Sequence, residues 1–184
     1  MEQIITLRIA RPEEAQAIHQ GMAEVYEQME NKELFVCDDL DWVKAHMEKD
    51  GFAVVACDEQ GNIAASLLVV YPGMSKDNLG RDIGLAEEEL VHVAHMETAV
   101  VLPQYRGQHL QRRLLQYAEA VLDKKQYWHL LSTISPDNPA SYKSIEACGY
   151  QVMTTKEKYG GLMRRIYYKN TGTEVLRTEK DKEE

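Results

Sequence analysis

The run Val100–Leu115, VVLPQYRGQHLQRRLL, constrains what this chain can fold into more than any other stretch. An apolar segment meets Pro103, a short polar loop containing Arg106-Gly107 follows, and the pattern beyond it reads as a helix. A strand that turns through such a loop into a helix leaves the first N–H groups of that helix unpaired and aimed outward. With the positive end of the helix dipole they form a site for a phosphate or pyrophosphate. A chain that uses this corner handles a phosphorylated cofactor.

Bulk properties narrow the class. The 184 residues suit one domain with a real core. A net charge of −9 disfavours a nucleic-acid partner, which calls for a basic footprint. An acidic surface either attracts cationic amines or only keeps the protein soluble. Cys37, Cys57 and Cys148 are odd in number and widely spaced, which fits neither a disulfide framework nor a metal pattern. They read as reduced thiols of a cytoplasmic protein. No apolar run approaches the ~18 residues of a membrane span, so no membrane partner is expected. Met1–Ala10 lacks the basic and then apolar layout of a signal peptide.

Along the chain, Ile4–Ile9 predicts a strand. Pro12 and the acids after it start a helix whose face is Ala15, Ile18, Met22 and Val25. Asp39–Lys49 predicts a second helix with Leu40, Val43 and Met47 on one side. Phe52–Cys57 and Ile63–Tyr71 are strands joined by a Gly-containing hairpin connection. Residues 72–90 read as a long, partly helical loop. Val91–Leu102 is a strand, 107–123 a helix and Tyr127–Ile134 a strand. Ala140–Cys148 is a helix stopped by Gly149, and 150–158 with 162–169 form a last hairpin. Residues 171–184 are charged and read as a disordered tail. The strand–helix–strand unit at 91–134 requires a parallel crossover among hairpins, so the domain is α/β with a mixed sheet.

This order, with Arg106-Gly107 opening the helix after the fourth strand, resembles the GNAT acyltransferase superfamily (Gcn5-related N-acetyltransferases) over about residues 3–169. The family signature is Gln or Arg, two free positions, Gly, one free position, then Gly or Ala. Arg106, Gly107, Gln108, His109, Leu110 and Gln111 occupy it here. Arg106 fits; His109 and Gln111 replace small residues. The lead-in Val101-Leu102-Pro103-Gln104-Tyr105 and the segment from Asn138-Pro139-Ala140-Ser141 to Cys148-Gly149-Tyr150 look like further family elements. The resemblance implies one domain over residues 1–170, a mostly antiparallel central sheet flanked by helices on both faces. It also implies acetyl-CoA as acyl donor, gripped by backbone at 106–111.

A protonated amine, with a pKa of ~10, must lose a proton before attacking a thioester. The resemblance places the base at Glu97. In an unbroken strand Val93, His95, Glu97, Ala99 and Val101 share one face, so His95 neighbours Glu97. His95 is then a relay or alternative base. The alternative is that the His95–Glu97 pair only satisfies a buried charge. By resemblance, the N–H of Val101 or Val100 serves the oxyanion. Many relatives carry a Tyr acid where Ile145 stands, which leaves Tyr142, three residues earlier, as the candidate acid or a merely packed aromatic. Asn138 and Ser141 are expected against the pantetheine, Asn138 also as a helix cap. Arg112 or Arg113 either reaches the 3′-phosphate or lies on a solvated helix face. Gln111 is expected toward solvent or the helix–sheet seam.

The resemblance places the acceptor, a primary amine of a small molecule or peptide, between Tyr26, Glu27, Glu33, Phe35, Asp38–Asp41 and the hairpin Tyr159–Arg165. A homodimer stays open. The competing reading is a non-catalytic acyl-CoA-binding or regulatory module, toward which His109, Gln111 and Ile145 all lean.

Overall fold

The computed structural model describes residues 4–172. Seven strands form one sheet in the order β1-β2-β3-β4-β5-β7-β6. They are β1 (Thr6–Ile9), β2 (Gly51–Cys57), β3 (Ile63–Val70), β4 (Val93–Val101), β5 (His129–Ile134), β6 (Gln151–Lys158) and β7 (Leu162–Asn170). Every neighbouring pair is antiparallel except β4 and β5. Between those two the chain crosses over through a helix, the connection that parallel pairing requires.

Helices α1 (Ala15–Gln28) and α2 (Leu40–Glu48) cover one face of the sheet. Ala15, Ile18, Met22, Val25 and Val43 pack there against Val55, Leu68 and Val100. The opposite face carries α4 (Leu110–Val121), whose Leu110, Leu114, Leu115 and Ala118 pack on Val54, Leu67 and Met96. Each apolar stripe recurs at helical spacing, and each fully buried leucine contributes about 1.5–3 kcal/mol. The mixed, mostly antiparallel sheet with helices on both faces is thus the architecture that the sequence pointed to.

Residues 72–90, expected as a long, partly helical loop, contain the four-residue α3 (Leu79–Asp82) and most of a 3₁₀ segment, Glu87–His92, which also takes Val91 and His92 from the expected strand. The Asn78 carboxamide accepts from Gly80 N and donates to Gly73 O and Leu90 O, folding the segment on itself. Asp82 then takes Lys156 Nζ at 2.6 Å and Lys158 Nζ at 2.7 Å, tying it to β6. The last helix, α5 (Pro139–Glu146), is capped by Asn138 Oδ1, which accepts from Ser141 N. No helix among the described residues is long and apolar enough to cross a membrane. From residue 173 onward the expected tail lies outside the described residues.

Two backbone features shape the centre of the sheet. Opposite β3, Leu68 pairs with Glu97 but Ser66 pairs with Val100, so β4 carries one extra residue. That bulge sits at Thr98, whose φ is +52. It breaks the single face expected for Val93 through Val101. Ala94 and Met96 pack toward α4, which turns His95 and Glu97 to the other side. Past the bulge it is Ala99 and Val101 that pack toward α4, and Val100 that meets α1 and α2.

The second feature is a split. Strands β4 and β5 pair only at Val93–His129, Ala94–Leu130 and His95–Leu131. At the next position Ser132 Oγ donates to Met96 O at 2.7 Å, so a side chain takes the carbonyl a ladder would use. Beyond it the strands separate.

Candidate active site

A cavity of about 630 Å³ opens where β4 and β5 separate. One end is the corner before α4. There Arg106, Gly107, His109, Leu110 and Gln111 line the cavity. Gly107 has φ +80 and His109, the residue before the helix, has φ +55. Left-handed residues interrupt the helical backbone, which is why α4 starts at Leu110 rather than Gly107. They also explain the family's preference for a small residue at the His109 position, since glycine adopts such a φ without strain. Histidine is among the residues that tolerate it. The imidazole is exposed and leaves the corner open. A Cβ added at Gly107 would meet nothing within 4 Å. Leu110 and Gln111, the first residues of α4, border the same cavity, and a backbone corner of this kind fits the pyrophosphate of acetyl-CoA.

Other expected cofactor contacts divide. Asn138 and Ser141 line the cavity. Gln111 does not point to solvent or the seam: its Nε2 donates to Ser141 Oγ at 2.9 Å, linking α4 to α5. Leu110 is buried in the core, so it offers only backbone. Gln108 and Arg112 do not line the cavity, and Arg112 is an exposed helix residue. Arg113 donates to Ile5 O at 2.9 Å and serves the packing of β1. Val101 and Val100 both border the cavity, but their amides differ. Leu102 N donates to Ala64 O on the β3 side, so the Val101 N–H, one residue back, turns away from β3 into the split. By the same alternation the Val100 N–H is spent on β3.

The other end holds the titratable groups. Glu97 lines the cavity and keeps 26 % of its side chain exposed. Its Oε1 lies 2.9 Å from His95 Nδ1. His95 is 4 % exposed, does not line the cavity, and its Nε2 accepts from Leu79 N at 3.0 Å. The ring is therefore a Nδ1–H tautomer that donates to Glu97 and has no free lone pair. The expectation that His95 is a base or relay is corrected: both ring nitrogens are committed, and the ring meets the cavity only through Glu97.

Tyr142 is corrected as well. It does not line the cavity, and its ring lies beneath the Arg165 guanidinium at 5.0 Å. Two phenols line it: Tyr105, whose hydroxyl is spent on Asp58 Oδ2 at 2.6 Å, and Tyr159, at the tip of the β6–β7 hairpin. The Tyr159 hydroxyl shares a hydrogen bond with Thr133 Oγ1 at 2.9 Å. The residue as a whole is 49 % exposed, but desolvation at its hydroxyl, reinforced by the charge of Glu97, pushes its pKa up to about 12.

Of the acceptor-side residues expected from the sequence, Phe35, Asp38, Tyr159 and Arg164 line the cavity, whereas Tyr26, Glu27, Glu33 and Asp39–Asp41 do not. Asp38 accepts from Thr98 Oγ1 at 3.3 Å. Burial first, and Glu97 second, push its carboxyl up to about 6. Arg164 is 4 % exposed, and desolvation lowers its pKa. The individual weight of Asp38, Tyr159 and Arg164 was not visible in the sequence. Acids and aromatics near helix ends are common, and only the fold brings residues 38, 97, 159 and 164 to one place.

The sequence matches the acetyltransferase (GNAT) family over residues 15–150, most of the described chain. No curated protein matches it. Among solved structures, the ribosomal-protein-S18-alanine N-acetyltransferase of Escherichia coli superposes with a TM-score of 0.68 at 14 % identity, over 92 % of this chain and 96 % of that one. The Salmonella typhimurium protein yncA, determined with its cofactor acetyl-CoA, gives 0.68 at 16 % identity, over 92 % and 95 %. An N-acetyltransferase from Staphylococcus aureus Mu50 gives 0.65 at 17 % identity, over 91 % and 98 %. At these identities the likeness establishes the fold. With the family match spanning the phosphate corner, the split strands and the Asn138 helix, the chain belongs to the acetyltransferase (GNAT) family.

Proposed function

We propose that this protein transfers an acetyl group from acetyl-CoA to a primary amine of a small molecule or peptide, by direct attack in a ternary complex, with Glu97 as the base. The observation that carries the reading is the Glu97 carboxylate, open to the cavity at the split and oriented by His95. Bound acetyl-CoA supplies an acyl thioester. Gly107, His109 and the first amides of α4 hold its pyrophosphate, and Asn138 and Ser141 line the path toward the split.

Glu97 takes the proton that the ammonium must lose before attack. The Val101 N–H, turned into the split, donates to the acyl oxygen as charge develops on it. Transfer forms the N–C bond and breaks the C–S bond, and the second proton lost by nitrogen ends on sulfur. Tyr159 keeps its proton through neutral pH and is the cavity's phenolic donor for that end of the reaction. No covalent enzyme intermediate is needed. Cys148 is buried, and burial pushes its thiol up, which leaves it inert.

Glu97→Gln tests the reading. Thiol release across an amine panel should fall at least 100-fold with acetyl-CoA affinity retained. The second reading, a non-catalytic acyl-CoA-binding module, draws on the Gln111–Ser141 hydrogen bond, which joins two cavity walls in place of a small residue. Binding of acetyl-CoA without turnover of any amine by the native protein would favour it.

A further inference from the structure

The acceptor end of the cavity holds a charge pattern that an amine alone does not require. Arg164 on β7 is 4 % exposed and lines the cavity. Its guanidinium donates to Met163 O at 2.9 Å and to Glu33 O at 2.6 Å, both uncharged backbone oxygens. Among the described residues no carboxylate lies within ion-pair distance of it, and only the charge of Glu33 reaches it from further off. A buried cation is ordinarily matched by an anion, because taking it out of water unpaired is costly. Two of its five N–H donors are used, which leaves donors in the fork arrangement that suits a planar carboxylate.

The same cavity carries two carboxylates, Asp38 and Glu97, and the charge of Glu97 reaches Asp38. The Tyr159 ring lies near both signs. Its centroid is 5.9 Å from the Arg164 guanidinium carbon, and its hydroxyl responds to Glu97 and Asp38. The adjoining wall is apolar: Val25, Met29, Leu34, Phe35 and Val36.

From this juxtaposition we infer that the acceptor is a small zwitterion, an amino acid with an apolar side chain, whose carboxylate pairs with Arg164 while its amine meets Glu97 and Asp38. The inference rests on the acetyltransfer reading and narrows it. A peptide N-terminus carries an amide where this site offers an unpaired guanidinium, and a simple amine carries nothing there. The apolar wall takes the side chain, and the acids at the other end hold the ammonium until Glu97 removes its proton.

The test uses the native protein and three matched sets: leucine, leucinamide and isopentylamine; phenylalanine, phenylalaninamide and phenethylamine; methionine, methioninamide and 3-(methylthio)propylamine. Equilibrium dialysis with CoA present reads binding, and thiol release from acetyl-CoA reads transfer. The expected result is at least tenfold tighter binding, and at least tenfold higher kcat/KM, for the free amino acid than for either analogue in a set. Arg164→Lys keeps the charge but not the fork. It should erase most of that preference, the ratio of free amino acid to simple amine within each set falling below threefold in both binding and kcat/KM.

Equal binding of the three members of each set by the native protein overturns the zwitterion assignment, whatever the variant does. If the amines are nevertheless acetylated, the acetyltransfer reading survives that failure. Selective binding of the amino acids without any thiol release does the reverse: it supports the charge assignment and removes the catalytic reading.

Discussion

His95 Nδ1 and Glu97 Oε1 stand 2.9 Å apart, and Nε2 of the same imidazole accepts the Leu79 N–H at 3.0 Å. Both ring nitrogens are committed, one to each side. The histidine therefore links the short helix α3 to the proposed base and fixes the carboxylate's direction. His95→Ala should lower kcat at least tenfold while the KM for acetyl-CoA holds within twofold, because the corner before α4 is untouched. It should also leave the Leu79 N–H buried without a partner, at about 1–3 kcal/mol of stability. His95→Asn places an amide donor near the position of Nδ1 and should recover a good part of kcat. Steady-state kinetics and urea unfolding of both variants check this. Full activity in His95→Ala would show that Glu97 needs no such support.

His109 invites the opposite outcome. A left-handed backbone costs a residue with a Cβ about 1–2 kcal/mol, whereas glycine adopts it freely. Against this, glycine adds unfolded-chain entropy worth about 0.5–1 kcal/mol. His109→Gly should therefore raise stability by about 0.5 kcal/mol. Its acetyl-CoA affinity should hold within about threefold, since the imidazole is exposed and the grip comes from backbone N–H groups. A tenfold loss of affinity on titration calorimetry would show instead that the imidazole itself contacts phosphate.

The carboxyl of Asp38 gives a pH dependence with a definite sign. Burial and Glu97 push it up to about 6, above the 3.8 of the unfolded chain. The folded state holds this proton more tightly than the unfolded state. The stability this gives is present below pH 3.8 and is lost as pH rises from 3.8 to 6. Asp38→Asn carries no such loss, and its amide oxygen can still accept from Thr98. Relative to the native protein it should gain about 1 kcal/mol more at pH 8 than at pH 5. Denaturant melts at the two pH values measure the difference. An equal effect at both would mean that the carboxyl is not raised in the folded state.

How much of this was legible in the sequence depends on which forces act locally. The faces of α1 and α4, the parallel crossover and the phosphate corner follow from periodicity and turn chemistry, and the sequence carries them openly. The His95–Glu97 pair was legible because it precedes the bulge. The expectation for Ala99 and Val101 failed one residue past Thr98. A threonine at φ +52 announces nothing in sequence, because a β-branched residue adopts it only when its surroundings compel it. Tyr142 was misplaced for a related reason. Helical spacing fixed its face relative to Ile145, but the Arg165 guanidinium above its ring comes from β7, 23 positions downstream. Arg164 was indistinguishable from its neighbour Arg165 until strand pairing turned one inward and the other out.

The two tyrosines supply the sharpest functional contrast. Tyr142 packs under Arg165 outside the cavity, and removing its hydroxyl changes nothing that substrate would touch. Tyr142→Phe should leave kcat and both KM values within twofold. Tyr159 lines the cavity, bonds Thr133 at 2.9 Å and holds its proton up to about 12. A hydroxyl that stays protonated at neutral pH can donate to negative charge developing on sulfur without first needing to be recharged. Tyr159→Phe removes that donor but leaves the ring beside Arg164. Its kcat should fall at least tenfold, the binding of acceptor should change by less than threefold, and the melting temperature should stay close to that of the native protein. The two variants differ from the native chain by one oxygen atom each, so folding is not at issue in comparing them. Loss of activity in Tyr142→Phe with Tyr159→Phe unaffected would return the acid to α5 and leave the hairpin tip as acceptor wall alone.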